Sequence, residues 1–383
     1  MDIDAHLILD DGSAWPGRSF GADAPRPEDL VRGSVDTAFD GEVIFNTGMT
    51  GYHEILTDPS YTGQIVLMTS AHIGNYGTDD AWSEIGPVSG RSSGPSITAR
   101  GLVVRNLYDG PVPGGRGTLD EALRRSGVCG LANADTRGLT LKLRREGSRN
   151  GVILRTGAEP TTAQRDAVTA YLDTMPSMAG RDLTGDVGTV VVVEFDGTGP
   201  HVVLVDCGVK MNILRELRAR GCRVSVVPSG TTAPEIRALN PDAILFSNGP
   251  GDPEPLDGPA ELARSFLGQV PLWGICLGHQ ILARAVGART YKMSFGHHGI
   301  NHPVTDERSG RVFVTSQNHG FAVEESSLPE GCRVRFRNAN DGSVEGIEDA
   351  SRRLICVQHH PEAAPGPVDS SWIFDAFLAT LEN

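Results

Sequence analysis

The sequence predicts an α/β protein of two domains, and three observations carry that expectation. From His201 onward, short apolar runs of strand length alternate with runs whose apolar residues recur at helical spacing. That βαβα rhythm implies a mostly parallel sheet covered by helices on both faces, with functional residues on the loops that leave the carboxyl ends of the strands. The first half has another texture, with Gly- and Pro-rich loops between isolated β-like runs, and reads as a separate α+β domain. Lastly, 383 residues exceed the roughly 100–200 that one domain usually spans.

In the first half, Glu42–Phe45 and Gln64–Met68 read as strands, and Leu119–Arg125 and Leu139–Arg145 as short helices. The segments Gly86–Ser96 and Gly110–Gly117 read as loops, and Ala163–Leu172 as a helix before polar, Gly-rich sequence. Turn residues at Gly197–Pro200 place the domain boundary, giving domains 1–198 and 199–383. Beyond it, Val202–Asp206, Arg223–Val227, Ala243–Ser247 and Val270–Ile275 read as buried strands. Helices are expected over Lys210–Arg220, with Ile213, Leu214 and Leu217 on one face, over Pro234–Leu239, and over Ala260–Leu267, closed by Gly268.

Composition excludes several classes of function. The net charge of −14 and the lack of a Lys/Arg cluster argue against a nucleic-acid ligand. No apolar run approaches the roughly 20 residues of a membrane helix. The opening Met-Asp-Ile-Asp-Ala-His carries acids where a signal peptide carries positive charge, so a soluble cytoplasmic enzyme is expected. Six cysteines are scattered without C-x-x-C or C/H ligand spacing, which is neither a disulfide framework nor a zinc site.

One cysteine stands apart. Gly274-Ile-Cys276-Leu-Gly278 has the form G-x-nucleophile-x-G between an expected strand and an expected helix, Leu277–Val286. Such an elbow lifts the side chain above the sheet at a helix N-terminus, where the dipole favours a thiolate and the Leu277 N–H can meet an oxyanion. A buried cysteine in a tight turn would give the same local pattern, so partners decide. They come late in the chain, where the strand-like run from Leu354 ends in His360 with Glu362 two positions on. Extended backbone would set both side chains on one face, Pro361 would stiffen the stretch, and Glu362 could orient an imidazole that serves Cys276. His359, without such a carboxylate, reads as structural.

Ser247-Asn-Gly249-Pro-Gly251-Asp-Pro follows a strand and could bring backbone N–H groups to a ligand, yet it lacks the Gly-Lys-Ser/Thr of a phosphate loop. Gln317-Asn318-His-Gly320-Phe321 reads as a polar loop able to contact a substrate head group. His298 and His302 are four apart, but Gly296, Gly299 and Pro303 argue against a helix and no carboxylate or cysteine in sequence completes a ligand set, so no metal is expected.

Together, Gly-Ile-Cys276-Leu-Gly-His-Gln280, Ser-Asn-Gly249-Pro-Gly251-Asp-Pro and His360-Pro-Glu362 resemble the class I glutamine amidotransferases, in the family's order. In the first half, Phe45–Tyr61 and Ala134-Asp-Thr-Arg137 look like the amino-terminal domain of carbamoyl phosphate synthetase small subunits, and Phe295–Pro303 and Gln317–Phe321 fit the same family. The resemblance spans nearly the whole chain. Departures are minor: His53 and Ala134 stand where Gln and Ile are usual, and both flank motifs.

The resemblance implies a second domain of the class I glutamine amidotransferase type and hydrolysis of L-glutamine to glutamate and ammonia by Cys276, His360 and Glu362. Glutamine would be held by Ser60 of the first domain and by Gly249, Gly251, Leu277, Gln280, Asn318, Gly320 and Phe321 of the second. No cofactor is implied in this chain. ATP and its metal ion would sit on a large subunit, a heterodimer partner that makes carbamoyl phosphate from bicarbonate for arginine and pyrimidine synthesis. A glutaminase subunit of another synthetase, for anthranilate or GMP, would share the second domain but not the Asn46–Tyr61 block. A catalytically silent scaffold subunit, or a free-standing hydrolase of γ-glutamyl peptides, would share the fold but differ in the need for Cys276 or for a partner.

Overall fold

The structure, a computed structural model, describes residues 3–31, 39–87 and 97–382. These fall into two compact units. One holds the chain up to Ser83 and again as far as Ala179; the other holds a segment beginning at Glu84 together with everything from Gly180 onward. Most of the loop expected at Gly86–Ser96 lies outside the described residues.

The first unit is built on a closed barrel whose strands run, in spatial order, Ala5–Leu9, Ala14–Gly21, Cys129–Ala132, Gly101–Val103, Gln64–Met68, Asp40–Asn46 and Arg149–Arg155. Three successive pairs in the middle are parallel and the rest antiparallel, so closure leaves none of these strands with an open edge. Helix Leu119–Arg125 opens on a capping box in which Thr118 and Glu121 satisfy each other's backbone N–H groups. The next helix, Thr136–Glu146, begins earlier than apolar spacing indicates, because the Asp135 side chain accepts from Gly138 N and caps it there.

The second unit is a ten-stranded sheet. Five strands form its parallel block, in the order Arg223–Pro228, His201–Asp206, Ala243–Phe246, Leu272–Ile275 and Leu354–Val357. Alternate residues of these strands feed two cores. Val203, Val205, Ile244 and Phe246 pack with Leu262, Ile281 and Leu282 on one face. Val202, Leu204, Leu245 and Trp273 pack with Leu214, Leu217, Phe374 and Phe377 on the other. Both faces are thus covered by helices, as the βαβ rhythm requires.

Beyond the parallel block the sheet continues with antiparallel strands, Val344–Asp349, Arg333–Asn338, Thr290–Asp306 and Val312–Val323. The residues 317–321, expected as a loop, lie inside the last of these. Their backbone groups are drawn into the ladder with Thr290–Asp306, where Gly299 faces Gln317 and His297 faces His319. The division between units falls at Gly180, ahead of the Gly197–Pro200 turn. Gly180 N donates to Asp252 Oδ2 (2.8 Å), Asp182 bridges to Gly251, and Val193–Phe195 adds an edge strand beside Arg223–Pro228.

Candidate active site

Strand Leu272–Ile275 runs directly into helix Leu277–Ala285 with only Cys276 between them. A reversal that short forces Cys276 to φ 54° and ψ −106°, a region that side-chain-bearing residues rarely occupy. Glycines on either side make the reversal sterically possible. A Cβ on Gly274 would stand 2.6 Å from Gly278 O, and one on Gly278 would stand 2.0 Å from Phe246 O. The G-x-C-x-G spacing is therefore a packing requirement of the elbow itself.

The register of the sheet brings the other residues to this point. Leu354–Val357 pairs in parallel with Leu272–Ile275, setting Val357 beside Ile275, and Cys276 N donates to Val357 O (2.8 Å). The strand stops at Val357, so His360 and Glu362 do not share the face of an extended strand. A turn closed by Ala363 N donating to His360 O (3.2 Å) folds Glu362 back, and His360 Nδ1 lies 2.6 Å from Glu362 Oε1. The proline in this stretch favours the turn rather than extension.

All three side chains are almost wholly buried, Cys276 at 2% exposure and His360 and Glu362 at 1%. His360 Nε2 makes no hydrogen bond to a nitrogen or oxygen, and the Cys276 sulfur acts on this ring both as a charge and as a side-chain hydrogen-bond partner. Burial lowers the His360 pKa, but the Glu362 carboxylate and the Cys276 sulfur outweigh it and the net shift is upward, favouring imidazolium. Glu362 behaves in the mirrored way. Burial raises its pKa, Lys210 and His360 outweigh this, and the carboxyl is held at about 2.

Lys210 is the residue that motif reading misses. Its Nζ lies 3.0 Å from Glu362 Oε1 and also donates to Ala363 O, while its backbone N–H donates to Asn248 Oδ1 (2.9 Å). Asn212 Nδ2 donates to Glu362 O. A sequence signal for Lys210 did exist: it follows strand His201–Asp206 within a few residues, at the carboxyl end where functional groups of such sheets gather.

The remaining residues of the second unit relate to the elbow to differing degrees. Cys276 Sγ donates to Asn318 O (3.5 Å), and Gln358 Nε2 lies 3.7 Å from the sulfur. Gln280, on the helix after Cys276, donates from Nε2 to Phe321 O (2.8 Å) and to Gln358 Oε1 (3.0 Å), tying the Asn318–Phe321 strand segment to the elbow. Gly249 packs so closely that a Cβ there would stand 2.1 Å from Cys207 O and 2.9 Å from Leu277 Cδ2. Gly251 bridges to Asp182. Ser60 belongs to the first unit, in the turn Pro59–Tyr61, where its N–H donates to Asp58 Oδ1 (2.9 Å). His359 is fully buried with its ring 5.7 Å from those of Phe313 and Phe336, a packing position.

Known proteins resemble this chain over its whole length. Residues 203–380 match the family model described as glutamine amidotransferase class-I, and residues 7–153 match that of the carbamoyl-phosphate synthase small chain, CPSase domain. The carbamoyl phosphate synthase small chain of Methanopyrus kandleri is 45% identical over 377 residues, covering 98% of both proteins. That of Symbiobacterium thermophilum is 45% identical over 380 residues, again covering 98% of each. The Pseudomonas aeruginosa protein of the same name is 44% identical and covers all of this chain and 99% of its own length. With a strained cysteine elbow, a buried His–Glu pair and these full-length matches in hand, the chain belongs to the carbamoyl phosphate synthase small-chain family, and its second domain is a class I glutamine amidotransferase domain.

Proposed function

We propose that this chain hydrolyses the side-chain amide of L-glutamine, with Cys276 as nucleophile, His360 as acid and base, and Glu362 as the group that orients and charges His360. The observation that carries the reading is the His360 Nδ1–Glu362 Oε1 bond of 2.6 Å, which takes up one ring nitrogen and leaves Nε2 for the thiol and substrate. The thiolate attacks the amide carbon, and the oxyanion is met by N–H groups at Leu277 and Gly251. His360 gives its Nε2 proton to the amide nitrogen as the C–N bond breaks, releasing ammonia and leaving a γ-glutamyl thioester. Neutral His360 then takes a proton from water, which attacks the thioester; the C–S bond breaks, and glutamate and the thiolate are restored.

Gln280, Asn318, Gly320, Phe321 and Gly249 are proposed to shape the glutamine pocket, with Ser60 as a further substrate contact. Ammonia would pass to a large subunit that carries ATP and its metal ion and forms carbamoyl phosphate from bicarbonate, for arginine and pyrimidine synthesis in the cytoplasm. Among the described residues, no helix is long and apolar enough to cross a membrane. Glutamate release from glutamine, by the purified chain alone and with a large subunit, tests the reading. Wild type is expected to turn over and to be stimulated by the partner, and Cys276→Ala to be inactive; full activity in the alanine variant would overturn the assignment.

A further inference from the structure

We propose that His297, His319 and Glu345 form a binding site for a divalent transition-metal ion of the zinc class, separate from the cysteine site. Each can offer one ligand atom, and the three atoms lie within 4.8 Å of one another. The residues are far apart in sequence and the sheet brings them together. His297 and His319 face each other across the antiparallel ladder, with rings 5.0 Å apart and edge-on at 89°. Glu345 comes from the strand Val344–Asp349 and is fully buried.

The nitrogens that would coordinate are set by bonds on the other side of each ring. His319 Nδ1 donates to Phe321 O (2.8 Å), which fixes the tautomer with the lone pair on Nε2, and that buried Nε2 has no hydrogen-bond partner. His297 Nε2 lies 2.9 Å from Asp341 Oδ2, while its Nδ1 faces Glu345 Oε1 at 3.5 Å and the Asn338 amide at 3.4 Å. One ring backed by a carbonyl and one by a carboxylate is the outer arrangement that metal-ligating histidines share. Glu345 is likewise oriented, by Gln317 Nε2 (2.8 Å) and Asn338 Nδ2 (2.9 Å).

Two imidazoles and a carboxylate are a ligand set for zinc and its neighbours, with a fourth position to fill. A water molecule would fill it; His302 lies near without joining the three ligand atoms, its ring 5.1 Å from that of His297 and its buried Nδ1 unpartnered. His298, which sequence spacing pairs with His302, is turned elsewhere and bonds Asn318 Oδ1 through Nδ1 (2.9 Å). A bound ion would clamp the strand Val312–Val323, whose Asn318 carbonyl touches the Cys276 sulfur, to the strands on its other side.

The untagged full-length chain, stripped with a chelator, is titrated with zinc and separately with cobalt(II). We expect a single ion per chain, a visible cobalt spectrum of low-symmetry, four-coordinate type, and a rise in thermal midpoint on zinc addition. Glu345→Gln keeps the shape and can still accept from one of the two amides, yet it removes the anionic ligand, and His319→Gln removes a second ligand. Each is expected to weaken binding by more than the roughly 10–100-fold that loss of an outer partner costs, while His72→Gln, an exposed histidine in the other unit, binds as wild type does. Circular dichroism confirms that the variants are folded. Absence of a bound ion in the folded wild type, or undiminished binding in folded Glu345→Gln, overturns the proposal. Neither readout requires glutamine turnover, so the result is independent of the catalytic assignment.

Discussion

Lys210 Nζ lies 3.0 Å from Glu362 Oε1, with both side chains essentially removed from solvent. The pair extends the His360–Glu362 contact into a buried row of alternating charge, and it explains why a carboxylate can stay ionised there. Removing one member of a buried pair leaves the other uncompensated, at a cost of about 3–5 kcal/mol. Lys210→Met is therefore expected to destabilise the second domain by that amount in urea unfolding. It should also lower kcat for glutamine more than it changes KM, since Lys210 acts on Glu362 and not on substrate. Wild-type stability in this variant would show that the pair is not needed.

Glu84 supplies a pH dependence of a distinct kind. Its carboxylate accepts from Asn212 N (2.9 Å) and Arg215 Nη1 (2.7 Å) at the start of the helix after Lys210, but burial outweighs these contacts and Lys210 and pushes its pKa up to about 7, from 4.5. A carboxyl whose folded pKa lies above its unfolded value binds its proton more tightly when folded. Its stabilising contribution is full below the unfolded value and is lost as pH rises through the folded one. Between about pH 5 and 8, wild type should lose a few kcal/mol relative to Glu84→Gln, which cannot titrate. Urea midpoints of the two proteins across that range check the sign, and a constant difference would contradict it.

Backbone strain at Cys276 predicts that the chemistry is maintained at the expense of stability. Conformations of that kind cost about 1–3 kcal/mol for a residue with a Cβ, and glycine escapes the clash while adding about 0.5–1 kcal/mol of unfolded-state entropy. Both Cys276→Ala and Cys276→Gly lack the thiol and should be inactive. The glycine variant should nonetheless be the more stable, by about 1 kcal/mol. Equal or reversed urea midpoints would mean that the elbow is relaxed.

These residues differ in how far the sequence discloses them. Cys276 is legible because the elbow demands small residues at fixed offsets, and Gly274 and Gly278 stand in contact with backbone that admits no Cβ. His360 and Glu362 are legible as a pair, though the bond arises from a turn and not from strand periodicity. Lys210 and Glu345 are single charged residues whose partners lie far along the chain, so only the folded sheet reveals them. Strand Thr290–Asp306 is hidden for another reason. Glycines at 296 and 299 and a run of polar residues break the alternation, and pairing with neighbours on both sides supplies what local propensity lacks. The parallel strands are plain by comparison, since burial on both faces calls for continuous apolar runs, residues 202–205 and Ala243–Phe246 among them.

Glu362→Gln tests the assignment of charge within the site most directly. The amide has nearly the same shape and can still accept from His360 Nδ1, so orientation is largely kept while the negative charge is lost. Glu362 is the foremost of the groups that raise the His360 pKa against burial, so its neutralisation lowers that pKa. Imidazolium is then depleted at lower pH, and the basic limb of the kcat/KM profile for glutamine should move toward acid. The rate at neutral pH should fall by about 10²–10⁴-fold, the range that a positioned acid–base group contributes. Lys210, relieved of its partner, is left as a buried cation, so the variant should also unfold at lower urea. A profile whose basic limb stays in place while the rate falls would assign Glu362 to orientation alone, with no part in setting the charge on His360.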